Sequence, residues 1–344
     1  MNPIENEVAN PPPTNTSNSL PSIRHLKQWL LVVFVLICGA IGGYLLFHSF
    51  AASPESAYDN AVLADHPVAY WAMNQPGGTE PDLSGNNHTG TYKGGTPGLV
   101  SMPNGDKAAD FNGSSEYLTI PSSSAFSIPT AHEMTWEGWI RPDNLQPASG
   151  AGSGYVDWMG KCQNYSPSCE WEARMYNSNN PQGRCNRLSA YVFNNTAALG
   201  SGADWQPNCN LLQANQWLYV VGEYQTETTP AGCSIANPGT INIWVNGVEW
   251  DQAAHVPTGC LSQYGIIPTA GDSPLNIGTM AMDTWFQGSV GKVAIYNYLL
   301  SQSQIDANFT AMTGAAASGS CASSCTIPVP TQTGTHEPTP SPRP

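Results

Sequence analysis

The residues most able to do chemistry in this chain are Glu170-Trp-Glu172. On a β-strand, carboxylates at i and i+2 share one face about 6.5 Å apart, a separation that suits the paired acids of glycoside hydrolysis. The next alternate position is Arg174, so the competing expectation is a solvated Glu-Glu-Arg strand face held by charge pairing. The chain has no Gly-x-Ser-x-Gly nucleophile elbow, no His-Glu-x-x-His zinc helix and no glycine-rich phosphate loop. The sequence signals of the common hydrolase and nucleotide-binding routes are therefore missing.

A second candidate is the turn Asp82-Leu-Ser-Gly-Asn-Asn87. It offers a carboxylate, a hydroxyl, amide oxygens and backbone carbonyls on a bend that glycine permits, which is the hard-oxygen set calcium takes. The same residues also suit an Asx turn in which Asp82 caps the loop by hydrogen bonds alone. The aromatic residues form a third group. Of eleven tryptophans, Trp71, Trp136, Trp139, Trp217 and Trp244 fall within alternating strand patterns and are assigned to packing. Trp158, Trp171 and Trp205 lie in a cysteine-rich region near 148–212 and are the predicted ligand-binding residues, while Trp250 and Trp285 lie beside hairpin turns. A flat apolar ring with a polar edge suits sugar rings and protein hot spots alike.

These groups need strands to hold them. Apolar and polar residues alternate in Tyr117-Leu-Thr-Ile120 and Met134-Thr-Trp-Glu-Gly-Trp-Ile140, so each segment can turn one face to a core and the other to water. Val245-Asn-Gly-Val248 carries the Asn-Gly pair of a tight type I′ hairpin. Many short strands separated by Gly, Pro, Asn and Ser clusters predict an all-β antiparallel sandwich. Eight cysteines, Cys162, Cys169, Cys185, Cys209, Cys233, Cys260, Cys321 and Cys325, follow the apolar N-terminal run that holds Cys38. An even number suits disulfides that staple long loops in an oxidising compartment, with the pairing left open.

Five segments in a fixed order carry a resemblance: 82–92, 109–121, 134–142, 241–248 and 288–301. Together they resemble the laminin G-like jelly-roll family of the concanavalin A-like lectin and glucanase superfamily, over residues 62–312. The resemblance implies a jelly-roll sandwich and, in some relatives, a calcium ion at a loop edge. It adds Glu116, where relatives show an acid after Phe-x-Gly, and Asp110 on the adjoining strand to Asp82 as metal candidates. Relatives commonly have an acidic pair before the final Val-x-Ile-Tyr strand, whereas this chain has Gly291-Lys292. Glucanases of the superfamily carry an alternating triplet of acids on one strand, and here Arg174 takes the third place. Glu137 matches a position of the family's Trp-containing strand and is expected to be structural.

The flanking segments give an address. Trp29–Phe47 is an uncharged apolar run that as a helix covers about 28 Å, close to a bilayer core. Arg24 and Lys27 precede it, and Glu55, Asp59 and Asp65 follow it. The positive-inside bias then places residues 1–27 in the cytoplasm, 28–50 across the membrane as a signal anchor, and the sandwich outside. The alternative is a signal peptide cleaved near Ser49-Phe-Ala51, with the domain secreted. Residues 51–61 read as a linker and 313–344 as a Thr/Pro-rich tail. A net charge of −14 lacks the basic footprint of a nucleic-acid binder. The resulting expectation is a membrane-anchored, non-catalytic recognition module for an extracellular glycan or protein. The alternatives are a glycoside-active enzyme and a structural envelope component.

Overall fold

The structure is a computed structural model that describes residues 56–146, 154–162, 169–180, 184–193, 200–205, 212–226, 240–250, 268, 270–280, 282 and 284–316. The apolar run 29–47, the tails 1–27 and 317–344, and Cys209, Cys233, Cys260, Cys321 and Cys325 lie outside the described residues. Among the described residues no helix is long and apolar enough to cross a membrane.

The chain opens with helix α1 (Ala57–Ala64) and strands β1 (Ala69–Trp71), β2 (Thr79–Glu80), β3 (Gly90–Lys93), β4 (Gly98–Ser101), β5 (Lys107–Asn112) and β6 (Tyr117–Ile120). A short helix α2 (Ile128–Ala131) leads to β7 (Glu133–Pro142), β8 (Tyr155–Lys161), β9 (Trp171–Tyr176), β10 (Leu188–Phe193) and β11 (Gly200–Trp205). Strands β12 (Leu218–Gln225), β13 (Thr240–Val245), β14 (Val248–Glu249), β15 (Leu275–Ile277) and β16 (Gln287–Tyr296) precede the closing helix α3 (Gln302–Thr313).

The described strands form two eight-stranded sheets, all pairs antiparallel. The first runs β14-β13-β12-β7-β16-β5-β4 with β1 beside β16, and the second runs β11-β10-β9-β8-β15-β6-β3-β2. The architecture is a two-sheet antiparallel sandwich, consistent with a jelly roll. Local chemistry shapes its corners. Val245 pairs with Val248 across Asn246 (φ 54°) and Gly247 (φ 77°), the two left-handed residues a type I′ turn requires. Ser301 and Gln304 form a reciprocal capping box that starts α3, and Gly314 ends it in the left-handed conformation.

The inner faces bury one core that includes Trp71, Trp136, Phe111, Ile277 and Val293. The outer face of the first sheet is also closed. Helices α1 and α3 lay Tyr58, Val62, Ile305, Phe309 and Met312 over Trp139, Tyr219, Trp244 and Tyr296. Glu137 sits fully buried in this layer, accepting hydrogen bonds from Tyr219, Tyr296 (2.9 Å) and Asn308 (3.3 Å). Helix α1 begins within the segment expected to be a linker. Ser56 caps Asp59 and Tyr58 is buried, so residues 56–61 belong to the packed domain because they supply part of this apolar cover.

Candidate binding face

With its partner sheet covered by helices, the second sheet presents the outer face on which polar side chains gather. Alternation along β8–β11 explains why. Leu188, Ala190 and Val192 of β10, and Trp171, Ala173 and Met175 of β9, point into the core. Ser189, Tyr191, Glu172, Arg174 and Tyr176 therefore project outward. A register shift between Asp157 and Met159 lets Trp158 and Met159 both reach the core while Asp157 stays on the outer face opposite Arg174. Strand pairing then aligns Asp157, Arg174, Ser189 and Asp204 in one row. The adjacent row is Gly202, Tyr191, Glu172, Gly160, Asn276, Thr119, Thr91 and Thr79. At Gly202 a Cβ would meet Tyr191 Cδ2 at 2.9 Å and Ser189 Oγ at 2.8 Å, so only glycine lets the ring lie there.

Arg174 is the centre of the face. Its Nε contacts Glu172 Oε1 and lies 3.5 Å from Asp157 Oδ1. Its guanidinium carbon is 4.2 Å from the Tyr155 ring centroid and 3.8 Å from that of Tyr191, placing the cation against two π-faces. Burial alone would lower the Arg174 pKa, but the carboxylates of Glu172 and Asp157 outweigh it and hold the guanidinium charged. Thr284 Oγ1 donates to Asp157 Oδ2 at 2.8 Å and steadies the acid from the β15–β16 connection. Tyr155 and Tyr191 are half-buried. Beside them, Arg184 Nη1 donates to Tyr176 Oη at 3.0 Å, and Arg184 and Arg187 approach Asp204 Oδ2 at 3.8 and 3.4 Å.

Glu170 and Glu172 are both fully buried, which corrects the expectation of a solvated face. They also serve different cations. Glu170 pairs with Lys161 Nζ at 2.6 Å and accepts from Ser127 Oγ (2.7 Å) and Gly271 N (2.9 Å). Glu172 belongs to Arg174. Each carboxylate is engaged by its own buried cation, and nothing in the arrangement sets the two across a shared cleft as paired acids of glycoside hydrolysis require.

The expectation that Trp158, Trp171 and Trp205 form a loop-borne platform is corrected as well. They lie on β8, β9 and β11, are at most 1% exposed and belong to the inter-sheet core. Their large apolar rings fall at inward positions, where burial is most favourable. Trp250 and Trp285 are half-buried, Trp250 packed against the core and Trp285 edge-on to Tyr117 at 5.9 Å. Sequence reasoning missed Tyr155, Asp157, Tyr191 and Asp204, although Tyr155-x-Asp157 and Glu172-x-Arg174-x-Tyr176 carry the period-two signal.

The three predicted metal ligands serve three separate structural roles. Asp82 is a loop cap. Its Oδ1 accepts from the amides of Tyr70 (3.0 Å) and Ser84 (2.9 Å), and its Oδ2 accepts from the amide of His88 (2.9 Å) with His88 Nδ1 at 3.3 Å. Those N–H groups point positive charge at the oxygens a cation would need, so the donor set fits the Asx turn and does not fit calcium. Asp110 accepts from Ser289 Oγ at 2.9 Å across β5 and β16, and Glu116 accepts from the Asn112 amide at 3.0 Å. Among the described residues no three His, Cys, Asp or Glu side chains gather as a metal group. Cys162 and Cys169 are joined in a disulfide that packs with Phe193 and Met280, and Cys185 is disulfide-bonded too.

Residues 112–306 match the laminin G-type family model of the concanavalin A-like lectin/glucanases superfamily. The chain belongs to this family. The laminin G-like sandwich is also similar to domain 4 of AbnA, an extracellular arabinanase from Geobacillus stearothermophilus solved with arabinotriose. That likeness has 17% identity and a TM-score of 0.45, over 70% of this chain and 96% of that one. A structure of botulinum neurotoxin type C, whose cell entry depends on two ganglioside molecules, aligns at 12% identity and a TM-score of 0.50. It covers 74% of this chain and 53% of that one. The binding domain of botulinum neurotoxin DC in complex with SialylT aligns at 15% identity and a TM-score of 0.49, over 73% and 52% of the two chains. The chain thus spans about half the length of these toxin structures, and at such identities the likeness concerns the fold. No curated protein matches.

Proposed function

We propose that this laminin G-like protein is a non-catalytic recognition module, held at a cell surface by the apolar run 29–47, that binds an extracellular glycan on the outer face of β8–β11. The observation that carries this reading is Arg174 held between the half-buried rings of Tyr155 and Tyr191 on that face. Sugar rings present a C–H face that lies against an aromatic ring and hydroxyls that pair with planar charged groups, and this face offers both kinds of partner. The tyrosines and Arg174 are fixed by strand pairing and by Asp157 and Glu172, so little ordering cost is left for binding.

Catalysis is the weaker reading because Glu170 and Glu172 each hold a buried cation. A binding screen of the full chain against immobilised glycans, with wild type and Tyr155→Ala/Tyr191→Ala compared, tests the module. Capture by wild type that the double variant loses supports it, and equal capture by both places the site elsewhere. For the anchor, mature protein beginning near Ala52 would argue for a cleaved signal peptide instead.

A further inference from the structure

The cations on this face are unequally neutralised. Arg174 meets two carboxylates, Glu172 and Asp157. Arg184 and Arg187 share a single oxygen, Asp204 Oδ2, at 3.8 and 3.4 Å. Among the described residues, these two guanidinium groups meet one carboxylate between them, so the positive charge of the cluster exceeds the negative. Arg187 Nη1 donates to Asp204 Oδ2 at 3.4 Å, whereas Arg184 lies beyond hydrogen-bond reach of it, and both contacts are longer than the roughly 2.7–2.9 Å of a strong charge-assisted hydrogen bond. These are also the accessible cations of the face, with side-chain exposures of 41% for Arg184 and 21% for Arg187 against 8% for Arg174.

Position joins this charge to the aromatic platform. Arg184 donates to the Tyr176 hydroxyl, and the Tyr176 ring stands edge-on to Tyr155 at 5.9 Å, one of the two rings that flank Arg174. On a chain of net charge −14, three of the six arginines (Arg24, Arg141, Arg174, Arg184, Arg187 and Arg343) occupy this one face. The planar guanidinium fork is matched to a carboxylate. We infer that the glycan bound here carries a carboxylate, as in a uronic or sialic acid, and that Arg184 and Arg187 receive it while the sugar ring lies on Tyr155 or Tyr191. The inference rests on the glycan reading above and specifies its ligand class.

The test uses the full chain and oligosaccharides ending in galacturonic, glucuronic or sialic acid, each paired with its carboxyl-reduced counterpart. At low ionic strength at least one acid form is expected to bind about tenfold tighter than its reduced form, and the preference is expected to shrink with added salt. Arg184→Gln should collapse the acid-to-neutral ratio toward one, and Asp204→Asn should raise it by removing the competing carboxylate. Thermal melts of both variants establish that they are folded. Equal binding of acid and reduced forms, or a ratio that survives Arg184→Gln in the folded variant, overturns the inference and leaves the glycan reading standing. Binding of neither series overturns both.

Discussion

The guanidinium of Arg174 lies 3.8 Å from the ring centroid of Tyr191, on the neighbouring strand. Tyr191 is only half-buried, so one residue both shields a buried cation and stays partly accessible to solvent. Replacing it with Ala should weaken glycan capture by about 1–3 kcal/mol, as for a packed aromatic anchor, with the sandwich still folded. Titration calorimetry alongside a thermal melt checks this. Unchanged affinity in a folded Tyr191→Ala variant would remove the ring from the site.

Glu172 is expected to matter for stability and not for sugar hydrolysis. Glu172→Gln leaves the nearly buried Arg174 with Asp157 as its remaining carboxylate and should cost about 3–5 kcal/mol, the usual penalty for breaking a buried ion pair. Urea denaturation measures the loss. If the variant melts like wild type but abolishes a measurable glycosidase activity, the acid is catalytic and the binding-module proposal fails.

Stability should fall between mildly acidic and mildly alkaline pH. Burial pushes Glu137 and Glu223 up to about 7, against the lowering effect of hydrogen bonds from Tyr219, Tyr296 and Asn308 in the first case and from Trp244 in the second. Each takes up a proton on folding, so its contribution is complete below the ordinary carboxylate range near 4.5 and is lost as pH rises through 7. The loss is on the order of 3 kcal/mol per group. Asp59 has the opposite sign. Burial raises its pKa, but Lys292 and Tyr70 together hold it below 3.8, so its contribution is lost as pH falls below that range. Urea midpoints at about pH 5 and about pH 8 should show the decline, and Glu137→Gln should remove the Glu137 share of it while the Glu223 share remains. A midpoint that rises over that interval would contradict the assignment.

Asp82 should act as a loop cap that needs no metal. Asp82→Asn keeps one oxygen acceptor and loses the charge-assisted bonds of the other, a cost of about 1–3 kcal/mol. A chelator should leave the melting temperature of the wild-type chain unchanged. A chelator-induced drop that Asp82→Asn abolishes would restore calcium to this turn.

Local pattern carried much of the fold. The type I′ turn at Asn246-Gly247 and the packing role of Trp136 are legible in the sequence, because each depends on residues a few positions apart. The inward position of Trp171 was readable too, since Trp171, Ala173 and Met175 alternate with Glu172 and Arg174. The surrounding cysteines suit a loop-borne platform equally well, and the fully buried Trp171 ring overturns that alternative.

Alternation assigns a residue to one face of its own strand, a property the sequence holds by itself. It does not say which strand lies alongside. Arg174 meets Asp157 because β8 pairs with β9 through a bulge that no local spacing marks. The Arg174–Tyr191 stacking arises because β10 closes on the other side. Covering the first sheet required helices from opposite ends of the chain to meet over Trp139 and Tyr219. These are long-range choices, set by the total apolar area that closure buries, and they decided in the tertiary structure which outer face was left to the polar residues.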